Sequence, residues 1–284
     1  MFGIVPYIQL PTVEIPLGGL DPLVLDPWAA MVCIGFVLGL EIVRARGIRL
    51  GLDVRDVVDG VVFTVGLGFV FGHLVHVLAY NPQLLAERGW TELLRLWGGF
   101  SSTGGFLGAI IGSSLFYKFV RKRPYWIHAD TIVYGFPFGW MFGRTGCFLA
   151  HDHIGATTDF FLAVNYPGGA RHDLGLYEAL WTAVIAIVFF ALRNKPFKPG
   201  FFLALFAAMY APARFVFDFL RNSDLKNADV RWAGLTPAQW GMLALTITAV
   251  WLLVRLRGPG ERVDPTASHA APPAAPPAAP PAET

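Results

Sequence analysis

The sequence predicts an all-α membrane protein that crosses the bilayer seven times. The composition supports this, because 55% of the 284 residues are hydrophobic and only 15% are charged, with a mean hydropathy of +0.52. Such values are typical of polytopic membrane proteins and set a soluble class aside. The apolar residues also fall into runs that, with their flanks, are long enough to span a bilayer. A net charge of +2 is too small to indicate a nucleic-acid partner.

The chain divides into three parts. Residues 1–27 contain five prolines, which predicts an extended or interfacial lead-in. Residues 28–257 form the predicted membrane domain. Residues 258–284 carry Ala-Pro-Pro repeats and predict a disordered cytoplasmic tail. The predicted spans cover residues 28–40, 57–79, 106–120, 132–149, 176–192, 201–219 and 240–256.

The basic residues predict the orientation. Arginines and lysines gather after the first, third, fifth and seventh spans, and short basic loops stay in the cytoplasm. The amino terminus is therefore expected outside and the carboxyl terminus in the cytoplasm. Histidines, glycines and mixed charges occupy the other connections, so the chemistry is expected on the outer face.

The segment from Gly143 to Gly155 combines an apolar run with charged residues and histidines. Arg144 lies at the end of a predicted span, where a guanidinium is costly unless it meets an anion or water. Its alternative role is to reach the lipid headgroups from a helix end. Arg214 in the sixth span is a second such arginine. Its alternative role is to form an ion pair with Asp218 on its own helix. Together the arginines favour a shared anion site, and the anion at hand in a membrane is a lipid phosphate.

Two loop histidines are candidates for a general base. Neutral His151 or His153 can take a proton from a thiol or hydroxyl, oriented by Asp152 or Asp173. Each of these histidines, taken alone, could equally be a loop residue without a catalytic role. A zinc site is the weaker alternative because no second ligand cluster is present, and no metal or soluble cofactor is predicted. Cys147 is expected to be a small core residue.

Several landmarks, in order along residues 28–251, resemble the prolipoprotein diacylglyceryl transferases of bacterial inner membranes. They are residues 72–80 and 98–105, Asp130, residues 143–148 with Gly155, residues 171–178, and Arg214 with Asp218 and Arg221. The resemblance implies transfer of the diacylglyceryl group of phosphatidylglycerol to a lipobox cysteine thiol in a preprolipoprotein. A thioether forms and glycerol phosphate is released.

The resemblance also implies roles for residues. Arg144 and Arg214 would hold the phosphate, while a base helps to form the thiolate nucleophile, at a site facing the periplasm. The residues expected to contact substrate are Trp28, His73, Thr103, Gly104, Gly105, Asp152, Gly155, His172, Tyr177, Asp218 and Arg221. The expected partners are phosphatidylglycerol, preprolipoprotein signal peptides and the membrane, and the protein is expected to be a monomer. Glu178 and Gln239 are expected to be hydrogen-bonding anchors at helix ends.

The chain departs from the family pattern at four positions. Thr103 replaces a histidine, Cys147 an asparagine, His73 an arginine and Trp28 a tyrosine. Two accounts of the missing histidine stay open: a histidine of residues 151–153 takes the proton, or the protein is a non-catalytic paralogue that binds phospholipid or signal peptide. A small-solute transporter is disfavoured because no inverted repeat is visible.

Overall fold

The computed structural model describes residues 3–18, 20–95, 99–222, 224, 231–258 and 260. Residue 98 of the glycine-rich landmark, residues 1, 2 and 19 of the predicted lead-in, and residues 259 and 261–284 of the predicted tail lie outside this part. Within it the chain is mostly helical, as expected of a polytopic membrane protein. Six helical runs are long and apolar enough to cross a membrane: Pro27–Arg49, Val54–Tyr80, Ser102–Val120, Leu174–Leu192, Phe201–Leu220 and Ala238–Arg255.

The helices follow one another with short connections. In the part of the chain described here they are α1 (Pro27–Arg49), α2 (Val54–Val75), α3 (Gln83–Arg88), α4 (Ser102–Leu115), α5 (Tyr125–Ala150), α6 (Leu174–Leu192), α7 (Phe201–Phe217) and α8 (Pro237–Arg255). Single π-helical segments prolong α2 to Tyr80 and α4 to Val120, and a 3-10 turn prolongs α7 to Leu220. A further 3-10 turn covers Trp90–Leu94.

The predicted all-α class holds for most of the described chain, but six short strands that the sequence did not predict are also present. Strands β1 (Val5–Pro6), β4 (Ile154–Thr157), β5 (Val164–Tyr166) and β6 (Gly169–Asp173) form one sheet in the order β1-β5-β6-β4. The β1 and β5 strands are parallel and the other pairs are antiparallel. Strands β2 (Val13–Leu17) and β3 (Leu20–Leu25) form a hairpin. Strands of two to six residues are too short for an alternating pattern to identify them.

Helices α1 and α5 pack antiparallel along most of their length. Near the middle, a Cβ added at Gly139 would lie 2.5 Å from the carbonyl oxygen of Gly35, so the two backbones nearly touch. At one end of the pair, Arg46 of α1 lies 3.8 Å from Asp130 of α5. Although α5 is not among the six runs above, it lies along α1, which is one of them, from end to end.

An aromatic core fixes α5, α6 and α7 against one another. Its buried members are Tyr134, Ile185, Phe189, Phe202, Phe206 and Tyr210. Large rings that pack edge to face hold helices at defined positions, as Tyr134 and Phe202 do with centroids 5.0 Å apart. These are the three helices that carry the charged residues described next.

Candidate active site

Three helices bring charged side chains together at one end of the bundle. Arg144 lies within two turns of the end of α5, Glu178 in the first two turns of α6, and Arg214 in the last turn of α7. Their exposures are 3%, 1% and 6%. Charges buried in an apolar bundle are stable only when they are paired. These three side chains therefore define a charged cluster inside the protein.

Glu178 lies between the two arginines. Its Oε2 is 3.0 Å from Nε of Arg144, and its Oε1 is 3.2 Å from Nε of Arg214. The hydroxyl of Tyr210 donates a hydrogen bond to Oε2 at 2.8 Å. One carboxylate therefore orients two guanidinium groups that would otherwise repel each other.

Asp218 holds Arg214 from a second side. Nη1 of Arg214 donates to Oδ1 of Asp218 at 2.8 Å, and Nε of Arg221 lies 2.7 Å from the same oxygen. Thr236 donates to the other oxygen, Oδ2. The pair expected between Arg214 and Asp218 is thus present beside the pair with Glu178. Three arginines and two carboxylates leave one net positive charge, which suits an anionic ligand.

Arg144 also faces the loop that follows α5. Its Nη1 lies 3.3 Å from Nε2 of His153 and 3.7 Å from Sγ of Cys147. The other ring nitrogen of His153, Nδ1, contacts a carboxylate oxygen of Asp152. Burial lowers the pKa of His153, but hydrogen bonds with Asp152 and Cys147 outweigh it and raise the pKa to about 9. A titratable group therefore lies directly beside the arginine cluster.

The last turn of α5 and the loop after it bring three possible metal ligands together. Among the described residues, one ligand atom each of Cys147, Asp152 and His153 lies within 4.8 Å of the others. Arg144 lies against two of these ligand atoms, and its positive charge disfavours a cation there. The arrangement is better suited to proton transfer than to metal binding.

The structure separates the two candidate histidines. His151 turns away from Arg144, with its Nε2 2.9 Å from the carbonyl oxygen of Ile8 and its Nδ1 3.2 Å from the Tyr166 hydroxyl. The ring of Tyr7 stacks on it at 4.4 Å. Both ring nitrogens of His151 therefore fasten the amino-terminal segment to the sheet, and of the two histidines only His153 contacts Arg144.

The four-stranded sheet meets the 3-10 turn that prolongs α7 at Gly155. A Cβ added there would lie 2.5 Å from the carbonyl oxygen of Leu220, so a larger residue would push the sheet away. Gly155 also pairs through its backbone with Arg221. Nearby, Nδ1 of His172 lies 2.9 Å from the hydroxyl of Tyr177, and burial lowers the pKa of His172. The sheet thus contacts two of the helices that carry the cluster.

Other residues predicted to contact substrate also have contacts within the protein. His73 is fully buried, with Nε2 2.8 Å from the carbonyl oxygen of Glu92 and Nδ1 3.1 Å from that of Gly99. Trp28 lies at the start of α1, where a Cβ on Gly146 would be 3.1 Å from its carbonyl oxygen. His73 therefore fastens the loop after α2, and Trp28 packs against α5.

The glycine-rich start of α4 packs on α2. A Cβ at Gly104 would lie 2.4 Å from the carbonyl oxygen of Phe71, whereas one at Gly105 would have more room. Thr103 is exposed, with its hydroxyl 3.5 Å from that of Tyr80. Gly104 is thus packed tightly against α2, and Thr103 is the exposed residue of this group.

One aromatic residue connects α4 to the charged cluster. Phe106 lies one turn beyond Thr103, and its ring centroid is 5.8 Å from that of Trp140 and 6.0 Å from that of Tyr210. Since Tyr210 is bonded to Glu178, this face of α4 borders the cluster.

The central position of Glu178 is not evident from the sequence, where it is expected only to anchor a helix end. The available signal is that an acidic residue inside an apolar span is costly without a partner. Thr236 lies in a connection of mixed polarity, and nothing in its neighbourhood marks it as a contact of the cluster.

Comparison with known proteins shows extensive similarity. Residues 18–255 match the family model described as "Prolipoprotein diacylglyceryl transferase". Three relatives are named phosphatidylglycerol–prolipoprotein diacylglyceryl transferase. That of Nitratidesulfovibrio vulgaris is 30% identical over 267 residues, covering 90% of this chain and 97% of the relative. That of Vibrio parahaemolyticus is 32% identical over 227 residues, covering 77% of this chain and 82% of the relative. That of Chromohalobacter salexigens is 30% identical over 255 residues, covering 87% of this chain and 93% of the relative.

Proposed function

Since the chain belongs to the prolipoprotein diacylglyceryl transferase family, we propose that it transfers a diacylglyceryl group from phosphatidylglycerol to the lipobox cysteine of preprolipoproteins. The cysteine sulfur forms a bond with the terminal glyceryl carbon, and the bond from that carbon to the phosphate oxygen breaks. The thiol proton goes to a base and glycerol phosphate leaves. The names of the relatives support both substrates.

The observation that carries the proposal is the buried arginine cluster. A phosphodiester with one negative charge becomes a phosphate monoester with more charge as the bond to carbon breaks. Arg144 and Arg214 offer fixed donors for that charge, in a site where water does not weaken the interaction. Because Glu178 already orients both guanidinium groups, little reorganisation is needed when the lipid binds.

His153 is the base of this proposal. It lies next to Arg144 and is oriented by Asp152, so the thiol it deprotonates would lie beside the bound phosphate. With a pKa raised to about 9, the ring is mostly protonated at neutral pH, and the neutral form needed by a base increases with pH. His153 thus replaces the histidine that the family usually has at the position of Thr103.

We infer seven spans, with α5 as the fourth. Its antiparallel packing along α1, from Gly146 at one end to Asp130 at the other, supports this inference. The helix ends opposite the cluster carry the basic residues, which supports a periplasmic site in the inner membrane, an outer amino terminus and a cytoplasmic carboxyl terminus. The monomeric state stays a prediction.

The test is transfer of labelled diacylglyceryl from phosphatidylglycerol to a lipobox peptide by the purified full-length protein. We expect Arg144→Ala and Arg214→Ala to abolish transfer. Arg193→Ala is the matched control, since Arg193 lies at the opposite end of the bundle, where it contacts the backbone oxygen of Phe190 at 2.8 Å and the ring of the same residue. Wild-type protein that is folded but transfers nothing, or cluster variants with wild-type rates, would overturn the proposal.

A further inference from the structure

Helix α8 begins beside the arginine cluster with a capping box. The Oγ1 of Thr236 accepts a hydrogen bond from the backbone N–H of Gln239 at 3.1 Å, and Oε1 of Gln239 accepts one from the N–H of Thr236 at 2.9 Å. Such a reciprocal pair satisfies two backbone donors at a helix start. Both residues are buried, with exposures of 2% and 0%, although most helix caps lie at the surface.

The Thr236 hydroxyl has a second partner in the cluster. It donates its proton to Oδ2 of Asp218, the residue whose Oδ1 accepts from Arg214 at 2.8 Å. A hydroxyl has one proton to donate and two lone pairs to accept with. Here the proton is used for the carboxylate and a lone pair for the helix N–H, so one oxygen atom joins the cap to the cluster.

Gln239 adds a parallel connection. Its Nε2 donates to the carbonyl oxygen of Phe215 at 3.1 Å, and Phe215 directly follows Arg214 in the last turn of α7. The start of α8 is therefore fastened at two points, Phe215 and Asp218, both of which follow Arg214 within about one helical turn.

We propose that Thr236 is a positioning residue of the transfer reaction, which acts by holding Asp218 so that Asp218 holds Arg214 against the lipid phosphate. This inference rests on the proposed function. Asp218 is 1% exposed, so water does not readily replace a lost donor. Without the hydroxyl, Oδ2 of Asp218 loses a fixed donor, and although Arg221 still contacts Oδ1, the carboxylate that orients Arg214 is held less firmly. A small misplacement of a phosphate clamp is costly to the reaction.

Three variants separate this role from helix capping. Thr236→Val has nearly the same shape but lacks the hydroxyl, and Thr236→Ser restores it. Asp53→Ala is the matched control, because Asp53 caps α2 by accepting from the N–H of Arg55 at 2.9 Å and lies at the opposite end of the bundle. If Thr236→Val yields no folded protein, Thr236→Cys takes its place, since a thiol keeps the size but is a weak donor.

The measurement is steady-state transfer per folded molecule, with the phosphatidylglycerol and peptide concentrations varied separately. We expect Thr236→Val to lower kcat/KM for phosphatidylglycerol about tenfold or more, the effect of losing one hydrogen bond to a charged group. The KM for the peptide should not change, Thr236→Ser should recover the wild-type value, and Asp53→Ala should lose stability only.

Other results would overturn the inference. These are an unchanged kcat/KM for phosphatidylglycerol in Thr236→Val, an equal loss in Asp53→Ala, or no recovery in Thr236→Ser, each with an active wild type. In all three cases the proposed function would stand. An inactive wild type would overturn the function and the positioning role together.

Discussion

Replacing Glu178 with glutamine tests whether this carboxylate holds the cluster together. Glutamine has the same shape, and its carbonyl oxygen can still accept the hydrogen bond from Tyr210. It has no negative charge, however, and its amide group donates toward guanidinium groups that are themselves donors. Arg214 keeps Asp218 as a partner, whereas Arg144 keeps the sulfur of Cys147 and the rings of His153 and Trp140, which do not replace a carboxylate. The uncompensated charge is therefore mainly that of Arg144.

The expected loss of stability follows from this pairing. Removing one partner of a buried ion pair costs about 3–5 kcal/mol, because the other charge stays buried without compensation. For a chain of this size, each kcal/mol lowers the Tm by roughly 2 °C or more. Glu178→Gln should therefore lower the apparent Tm by about 6 °C or more. Transfer should also fall, since the guanidinium groups lose their common orientation.

The assay is thermal unfolding of purified protein in one detergent at one scan rate, because membrane proteins often unfold irreversibly. Glu92→Gln is the matched control. Glu92 is equally buried and bonds two arginines, Arg88 at 3.4 Å and Arg95 at 3.2 Å, but these arginines are 52% and 45% exposed. Once released, they can turn toward water, so the control should lose much less stability.

A double-mutant cycle with Arg144→Gln makes the test specific. In the Glu178→Gln background, Arg144→Gln should cost about 0.5–3 kcal/mol less than in the wild type, because its partner is already gone. The reasoning would be refuted if Glu178→Gln melted within about 2 °C of the wild type, or no lower than Glu92→Gln. Additive effects of the two substitutions would refute it as well.

Two further predictions concern the histidines. The folded pKa of His153 is raised to about 9, above the ~6.5 of an unfolded chain, so the stability from its protonated ring is complete below pH 6.5 and disappears between pH 6.5 and 9. Between pH 6.5 and 9, melting scans should show that the wild type loses more stability than His153→Asn. Over the same range the rate of transfer by the wild type should rise, because the neutral form of the base increases. A wild-type rate that does not change with pH would contradict the role of His153 as base. His151→Ala should lower the Tm but keep the transfer rate per folded molecule, because its ring holds Ile8 and Tyr166; loss of transfer in folded protein would show that His151 takes part in the reaction.

The helices and the arginines of the site could be predicted from the sequence. Hydrophobic runs identify membrane-spanning helices through composition alone, because the bilayer requires each span to be apolar along its length. The same requirement makes Arg144 and Arg214 conspicuous, since a charge within such a run is costly wherever it lies in the fold. The landmark residues around them were enough to suggest the family.

The partners of those arginines depend on how the helices pack. Glu178 lies 34 positions beyond Arg144 and 36 before Arg214 in the sequence, and only the packing of α5, α6 and α7 brings the three together. His151 and His153 are two positions apart, yet the left-handed turn at the end of α5, where His151 has a φ of 53°, sends them in different directions. Local sequence cannot distinguish them because both fit the same chemical role.

What the sequence alone determined was therefore the class of protein, the helical spans and the charges that need an explanation, because these follow from the cost of polar groups in lipid. Only the tertiary structure decided which groups meet: Glu178 between the arginines, His153 rather than His151 at Arg144, and the Thr236 cap on Asp218. These contacts join residues from different helices and loops. They depend on helix packing and loop geometry, which hydropathy and charge patterns do not encode.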